Sequence, residues 1–429
     1  MKLIYLTASL PHGANEAFII PEIEALTRLG HEILLVPRSP AGALVHGEDL
    51  VRLSRCRPLF SLEVVGAAAR ESARHPARAL NSASRLVASR SVSQLAKNLL
   101  VLPKALWLAE CATNWGASHI HCHWASTTAT MAMLASEFSG LPWSLTTHRW
   151  DIVEDNLLQA KIRSASFVRF ISEDGLMLAR TVGVDLGPNS KLLRMGVLMP
   201  ETTPRRFSHA PVVLCPARLD EVKGHRHLIQ AWSVLRSLGV EAELRLAGDG
   251  ELRPRIESQI RDLGLESSVR LLGAVPHKRL LEMYDTGTVS IVVLPSVDLG
   301  NGYHEGVPVA LIEAMSYGIP VIATPTGGIA ELVAPGTGIL VPPGNAAALA
   351  GSLRTLIESP QLAETIGSMG RDRAREVHDV NKIAAELAAA FQLASAGGQS
   401  PLPISAGDLA ARSHQRSLSE RSAFPHPVE

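Results

Sequence analysis

Glu305 and Glu313 stand eight residues apart in the stretch HEGVPVALIEAMSYGIPVIAT, His304 to Thr324. On one helix that spacing would turn them about 80° from each other, at roughly 100° per residue, so they would not be simple neighbours. Pro308, between them, suits a first helical turn, where its missing N–H is no loss. Glu305 then falls in the loop and Glu313 in the turns that follow. Free N–H groups around Gly306 to Val309, at the positive end of the helix dipole, suit a phosphate or sugar oxygens. The two carboxylates are left to accept hydrogen bonds from hydroxyls. Upstream, Pro216-Ala217-Arg218-Leu219-Asp220-Glu221-Val222-Lys223-Gly224 follows an apolar run and enters a helical pattern. Arg218 and Lys223 at such a strand end could neutralise a diphosphate, Arg as a planar donor fork and Lys as a mobile point charge. A helix-start salt bridge to Asp220 or Glu221 is the structural alternative.

These residues need a frame, and the chain supplies an alternation of strands and helices. In the first half the apolar runs Leu3 to Thr7, His31 to Val36, His119 to His123, Ser144 to His148 and Phe167 to Ile171 read as strands, and Glu16 to Leu29 reads as a helix. The rhythm restarts after a Pro- and Thr-rich junction, Met199 to Ala210, with runs at Val212, Leu244, Val269, Ser290 and Val321. This is the pattern of parallel sheets covered on both faces. The expected fold class is α/β. Residues 1–200 form a Rossmann-like N-terminal domain with a helical insertion at about 61–116, and residues 201–393 form a second with closing helices. The Ser-, Pro-, Gly- and Arg-rich tail 394–429 lacks the apolar content to fold alone. Arg70, Arg74, Arg78, Arg85 and Arg90 could give the insertion a basic face, either plainly solvated or laid on an anionic membrane.

Composition narrows the functions. The chain has 429 residues, 46% of them hydrophobic, which is enough to fill two cores. Lys+Arg and Asp+Glu are 41 each, so long-range attraction to a polyanion is not expected and nucleic acid is not an expected partner, which leaves room for a local basic pocket for one phosphorylated small molecule. Cys56, Cys111, Cys122 and Cys215 are scattered without a Cys-x-x-Cys pair, which fits packed thiols in a reducing cytosol. The opening MKLIYLTASLPHG reads as a buried strand rather than a signal peptide, and no run approaches the roughly 20 apolar residues of a membrane span.

Arg218 and Lys223 before a helix, Leu246-Ala247-Gly248-Asp249-Gly250, Leu272-Gly273-Ala274-Val275-Pro276, Leu294-Pro295-Ser296, Glu305 with Glu313, and Thr326-Gly327-Gly328 with Glu331 follow one another in order. This set strongly resembles the family 4 glycosyltransferases, retaining enzymes of the GT-B fold, over nearly all of residues 210 to 345. The resemblance implies two Rossmann-like domains facing each other across a cleft, with a nucleotide-diphosphate sugar held by the second. Arg218 and Lys223 would then hold the diphosphate and stabilise it as it leaves. Glu313 would accept from the ribose hydroxyls, Glu305 with the backbone of Gly306 and Val307 would grip the transferred sugar, and Gly273 and Val275 would lie against the base. A departing diphosphate does need positive charge and oriented N–H donors. In the first half, His119 to Ala125, Thr146 to Ile152 and Asn15-Glu16-Ala17-Phe18-Ile19 resemble the exopolysaccharide, colanic-acid-type members. There, the His at the position of His148 points at the donor sugar, and the Asp at that of Asp151 lies near the reacting groups.

The implied reaction is retaining transfer of a hexose-type sugar to a saccharide, lipid-linked acceptor, met at the cytoplasmic face of the membrane. No cofactor and no obligatory metal are expected, since Arg218, Lys223 and the helix terminus supply positive charge. His121 and His123 point to one side of a strand and could offer two metal ligands, but no third is placed by the sequence. Nothing places a carboxylate on the far face of the sugar, so attack from the same face as the leaving diphosphate is preferred to double displacement. Alternatives are a sugar-nucleotide hydrolase or epimerase on the same scaffold, and a catalytically silent nucleotide-sugar-binding protein. A dinucleotide oxidoreductase is disfavoured because no Gly-x-Gly-x-x-Gly follows the first strand.

Overall fold

The computed structural model describes residues 1–13, 16–42, 44, 48–201, 211–300 and 302–397. Asn15, Asn301, the junction 202–210 and the tail beyond 397 lie outside the described residues. The first sheet contains β1 (Lys2–Thr7), β2 (Glu32–Pro37), β3 (His119–His123), β4 (Trp143–Thr147), β5 (Phe167–Phe170) and β6 (Ser190–Leu192) in the order β2-β1-β3-β4-β5-β6. The second contains β7 (Val212–Pro216), β8 (Glu243–Ala247), β9 (Val269–Gly273), β10 (Ile291–Leu294), β11 (Val321–Ala323) and β12 (Ile339–Leu340) in the order β12-β11-β10-β7-β8-β9. The strand pairs are parallel throughout. In each sheet the order reverses beside its first strand, and the crevice outside the carboxyl ends at such a switch point is where open α/β sheets collect ligands.

The helices of the first half are α1 (Ile20–Arg28), α2 (Glu48–Arg52), α3 (Leu62–Arg74), α4 (Pro76–Leu86), α5 (Val92–Trp115), α6 (Thr127–Ser139), α7 (Arg149–Glu154), α8 (Leu158–Ser164) and α9 (Glu173–Thr181). Two sequence expectations change here. The helix expected from Glu16 begins as a 3-10 turn, Ala17–Ile19, and becomes α-helical only with Pro21 in its first turn. The stretch at 61–116 is not all insertion. Its last helix, α5, is the crossover from β2 to β3, started by the Ser91 side chain accepting from Gln94 N–H and ended by left-handed Gly116. Its Leu106, Leu108, Ala109 and Ala112 are buried in the core of the first sheet. Only α3 and α4 are added to the basic fold.

The arginines of that region do not form a free basic face. Arg70 pairs with Glu110, Arg74 with Glu71, Arg85 with Glu137 and Arg90 with Asp155, while Arg78 donates to the Phe138 carbonyl. Most of these partners come from other elements, so the charge is balanced in a way the local sequence does not display. No described helix is long and apolar enough to cross a membrane.

The second half adds α10 (His225–Ser237), α11 (Arg253–Asp262), α12 (His277–Asp285), α13 (Val309–Ser316), α14 (Ile329–Leu332), α15 (Ala346–Glu358), α16 (Pro360–Val377) and α17 (Val380–Ser395). The last of these corrects the expected boundary at 393. Val380, Ala384, Leu387 and Phe391 of α17 share one buried cluster with Leu3, Tyr5, Ile23 and Phe167, so α17 closes the first domain, not the second. The chain returns beside its outward crossing, where Val197 N–H donates to the His378 carbonyl and Val380 N–H donates to that of Val197.

Candidate functional site

The carboxyl ends of the two sheets face one cleft of about 660 Å³. On the second-domain wall, β7 runs into a short 3-10 turn, Glu221–Lys223, ended by Gly224 at φ +67. A Cβ at Gly224 would lie 2.0 Å from the Pro295 carbonyl oxygen, so only glycine lets this turn pack against the end of β10. The turn delivers Lys223, whose Nζ is 2.5 Å from Glu305 Oε2, and Ser296 Oγ donates to the same oxygen at 3.1 Å. Arg218 pairs with Asp220 at 3.0 Å and is 71% exposed at the cleft. Pro308 is the N-cap of α13, so Glu305 lies in the loop and Glu313 in the helix. The loop is pinned from behind by the glycines that follow β11. A Cβ on Gly327 would meet the Glu305 carbonyl oxygen at 2.0 Å, and Gly328 N–H donates to the Gly306 carbonyl. Gly306, Val307 and the first turn of α13 line the cleft, and a helix's first turn is where backbone N–H groups lack i−4 partners.

Gly273, Val275 and Glu313 do not line this main cleft. Gly273 ends β9, Val275 packs against the second core, and Glu313, nearly buried, receives His277 Nε2 at 2.6 Å. That bond to Glu313 raises the His277 pKa despite its burial. The His277–Glu313 bond thus ties the helix that follows the 273–276 segment to α13. His277 was not singled out by the sequence, since an isolated helix-start His carries no signal of a partner 36 residues away.

On the first-domain wall, β4 stops at Thr147 and His148 caps α7 instead of extending the strand. Its N–H donates to Asp151 Oδ1 at 2.8 Å, while Asp151 Oδ2 accepts from Ala125 N–H. Burial raises the Asp151 pKa to about 7 against the lowering effect of these N–H donors. With both oxygens engaged, Asp151 ties the end of β3 to the end of β4. Lys161, missed by the sequence reading, fastens the same place, its buried Nζ donating to the carbonyls of Ala125, Ser126 and Asn156 at 2.8, 2.8 and 2.6 Å. Burial lowers its pKa to about 7. Between them Trp124 sits in the left-handed region at φ +74, a strained conformation for a bulky residue and a frequent mark of a functional site. Its ring lies 4.2 Å from that of His148, and its Nε1 donates to Glu16.

Behind His148 runs a buried polar network. His123 Nδ1 is 3.1 Å from His148 Nε2, and His123 Nε2 is 3.2 Å from Glu22 Oε1. Arg169 Nη1 donates to Glu22 Oε2 at 2.5 Å, and Tyr5 Oη donates to Oε1. Glu22, His121 and His123 could offer three ligand atoms to a metal. The surroundings do not fit a cation: the Arg169 guanidinium occupies Glu22, and both His121 nitrogens are within hydrogen-bonding distance of Ser144 and Thr146 hydroxyls. The expected same-side projection of His121 and His123 holds, but its product is a hydrogen-bonded layer.

Several contacts join the walls, among them the Trp150–Tyr303 ring pair at 5.1 Å and the Arg194–Glu331 ion pair at 3.6 Å. Arg149 Nε donates to His304 Nε2 at 3.0 Å across the cleft. Glu331 on α14 accepts from the N–H groups of Glu173 and Asp174 at the start of α9, at 2.9 and 2.6 Å.

Two Rossmann-like domains that face one another across such a cleft define the GT-B fold, and solved glycosyltransferases share it. HepE of Anabaena, solved in complex with UDP, aligns over 91% of this chain and 100% of its own with a TM-score of 0.68 and 20% identity. Sucrose-phosphate synthase of Thermosynechococcus elongatus aligns over 93% and 100% with a TM-score of 0.70 and 20% identity. Residues 203–373 match the family described as Glycosyl transferases group 1, so the second half of the chain carries a group 1 glycosyltransferase domain. Among curated relatives, the colanic acid biosynthesis glycosyltransferase WcaL of Escherichia coli is 38% identical over 208 residues, 46% of this chain and 50% of WcaL. The amylovoran biosynthesis glycosyltransferase AmsK of Erwinia amylovora is 38% identical over 150 residues, 34% of this chain and 36% of AmsK. The chain spans about half the length, or less, of the curated relatives it matches.

Proposed function

We propose that this protein is a retaining glycosyltransferase that moves a hexose-type sugar from a nucleotide-diphosphate sugar to a saccharide acceptor, lipid-linked, in the assembly of an exopolysaccharide. The observation that carries this reading is the convergence in one cleft of Lys223, Glu305, Arg218 and the first turn of α13 from one domain with His148 and Trp124 from the other. Positive charge and N–H donors stand where a diphosphate would depart. No metal is required in this reading, because Arg218, Lys223 and the α13 terminus carry the charge. Same-face attack is favoured because the Asp151 oxygens are engaged by backbone N–H groups and Glu305 is held by Lys223 and Ser296, so neither carboxylate stands free as a nucleophile. The acceptor enters along the first-domain wall, from the cytoplasmic side. Contact with an anionic membrane remains part of the proposal through the lipid of the acceptor, since the arginines once expected to supply it are paired.

The test is a donor panel of UDP-, GDP-, ADP- and dTDP-sugars read first by thermal stabilisation and then by product analysis with acceptor. Stabilisation by one nucleotide class, lost in Arg218→Ala and Glu313→Ala, and an anomeric linkage matching the donor support the reading. Free sugar released at full rate without acceptor would make it a hydrolase. A covalent sugar adduct trapped on Asp151 or Glu305 would refute same-face attack.

A further inference from the structure

The cleft face of His148 is backed by a chain of groups whose proton positions follow from their partners. Glu22 is buried at 1% exposure and held ionised by Arg169, which also donates to the Leu193 and Arg194 carbonyls. An ionised carboxylate only accepts, so the nitrogen of His123 that faces it, Nε2, carries the proton. Taking the His123 ring as neutral, its Nδ1 is the acceptor of the next pair and the His148 nitrogen 3.1 Å away, Nε2, is the donor. His148 is left with its lone pair on Nδ1, the side on which its ring receives the Asp151 N–H in the capping box of α7. We propose that Glu22 and His123 are positioning residues of the sugar-transfer site, which fix His148 in the Nε2–H tautomer so that its Nδ1 accepts the Asp151 N–H at the cap of α7 and the ring is held in one orientation at the cleft wall.

This assignment rests on the proposed function for its role in catalysis, but the tautomer itself does not. Every polar element packed on the chain agrees with it. Tyr5 on β1 donates to Glu22, so its hydroxyl oxygen, 3.2 Å from His123 Nε2, can only accept from that nitrogen; Arg169 on β5 neutralises Glu22, and His121 on β3 is turned to Ser144 and Thr146 on β4 and takes no part. The ring of His148 also packs against Phe18, at 5.5 Å, and Trp124, at 4.2 Å, contacts that oppose a flip that would put Cε1 in place of Nε2. A carboxylate that orients an imidazole is a known way to fix which nitrogen faces the reaction. Here the carboxylate acts through a second imidazole, so the control reaches the cleft from α1, a helix that places no residue in it.

The experiment is nitrogen NMR of the full chain with labelled histidine at neutral pH, the His123 and His148 signals being assigned by His123→Asn and His148→Gln. Both rings are expected as Nε2–H tautomers. An Nδ1–H or doubly protonated His148 overturns the assignment, and this readout needs neither a variant fold nor activity. The catalytic half is read in Glu22→Gln, whose amide can donate as well as accept. It should lower kcat by roughly 10- to 100-fold with donor KM within about threefold, and release His148 to a mixture of tautomers. If Glu22→Gln fails to fold, His123→Asn, which leaves the Glu22–Arg169 pair intact, must give the same mixture and the same loss. An unchanged kcat with a changed tautomer overturns the positioning role. A parent enzyme that transfers no sugar refutes the proposed function while leaving the tautomer standing.

Discussion

Lys223 and Glu305 are the first contact to perturb, because the cleft as it stands ties together the two groups that the resemblance assigns to different parts of a donor. Their side chains are 17% and 12% exposed and 2.5 Å apart, so the pair is only partly screened by water. At about 4 Å and an effective dielectric of roughly 20, a unit charge pair interacts by about 4 kcal/mol, of which desolvation removes a share. Lys223→Ala deletes the attraction to a diphosphate and leaves the Glu305 carboxylate unneutralised beside it. Binding of a nucleoside diphosphate should weaken by about 2–4 kcal/mol, roughly 30- to 1,000-fold. Glu305→Gln acts the other way on the bare nucleotide. It frees Lys223, so UDP or GDP alone should bind about fivefold tighter, while the preference for the sugar-bearing donor falls. The double variant should bind the bare nucleotide better than Lys223→Ala alone, with a coupling of about 1.5 kcal/mol or more. Isothermal titration of the four proteins with UDP, GDP and their sugars measures all of this. Additivity within about 0.5 kcal/mol, or parental binding by Lys223→Ala, would refute the reasoning.

Asp151→Asn must point an amide hydrogen at one of two backbone donors; kcat should fall by about 100-fold through misplaced Trp124 and His148, and a parental kcat would remove the positioning argument. Transfer measured with excess EDTA should proceed at the untreated rate, and restoration of a lost rate by a divalent ion would reinstate a metal. Phe391→Ala opens a cavity beside His119, His121 and Phe167 and should cost about 3–5 kcal/mol, seen as an earlier first transition in calorimetry; an unshifted profile would contradict the packing of α17. Acidification should destabilise the fold. His119, His225 and His378 are pushed by burial to about 3, 4 and 4, below their unfolded value near 6.5, so the unfolded chain binds more protons in between and stability falls as pH drops through that window. Each contributes up to about 1.4 kcal/mol per pH unit, and Asp151, raised to about 7, opposes them by taking its proton first in the folded state. Urea midpoints equal at pH 7 and pH 5 would sink this prediction.

The strands and most helices were legible because their signals are local. Apolar runs bounded by turn residues mark β1, β3, β7 and β10 without reference to anything distant. The same holds for the second-domain wall, where Arg218, Lys223, Glu305 and Pro308 carry their chemistry in short motifs at strand ends. What the sequence hid depends on distant partners. The helical period of α17 marks an apolar face but not which sheet receives it. Arg70, Arg85 and Arg90 look free until α5, α6 and the end of α7 bring their acids Glu110, Glu137 and Asp155. Glu22 reads as one polar residue in α1, and only the β1-β3-β4-β5 order of the sheet brings it under His123 beside Arg169. The left-handed backbone of Trp124 goes against every local preference, so tertiary contacts with His148 and Glu16 must hold it there.

The docking of α17 on the first sheet also sets the order in which the molecule can mature. A ribosome delivers β1 to β6 early, yet the face that bears Leu3, Tyr5 and Phe167 is covered only in part, by α1, until Val380–Ser395 emerges much later. The second domain lies wholly between these segments and can close its own core as it appears. Thus the part made first is finished last, and a nascent chain halted before Val380 holds an uncovered apolar surface for chaperones to guard.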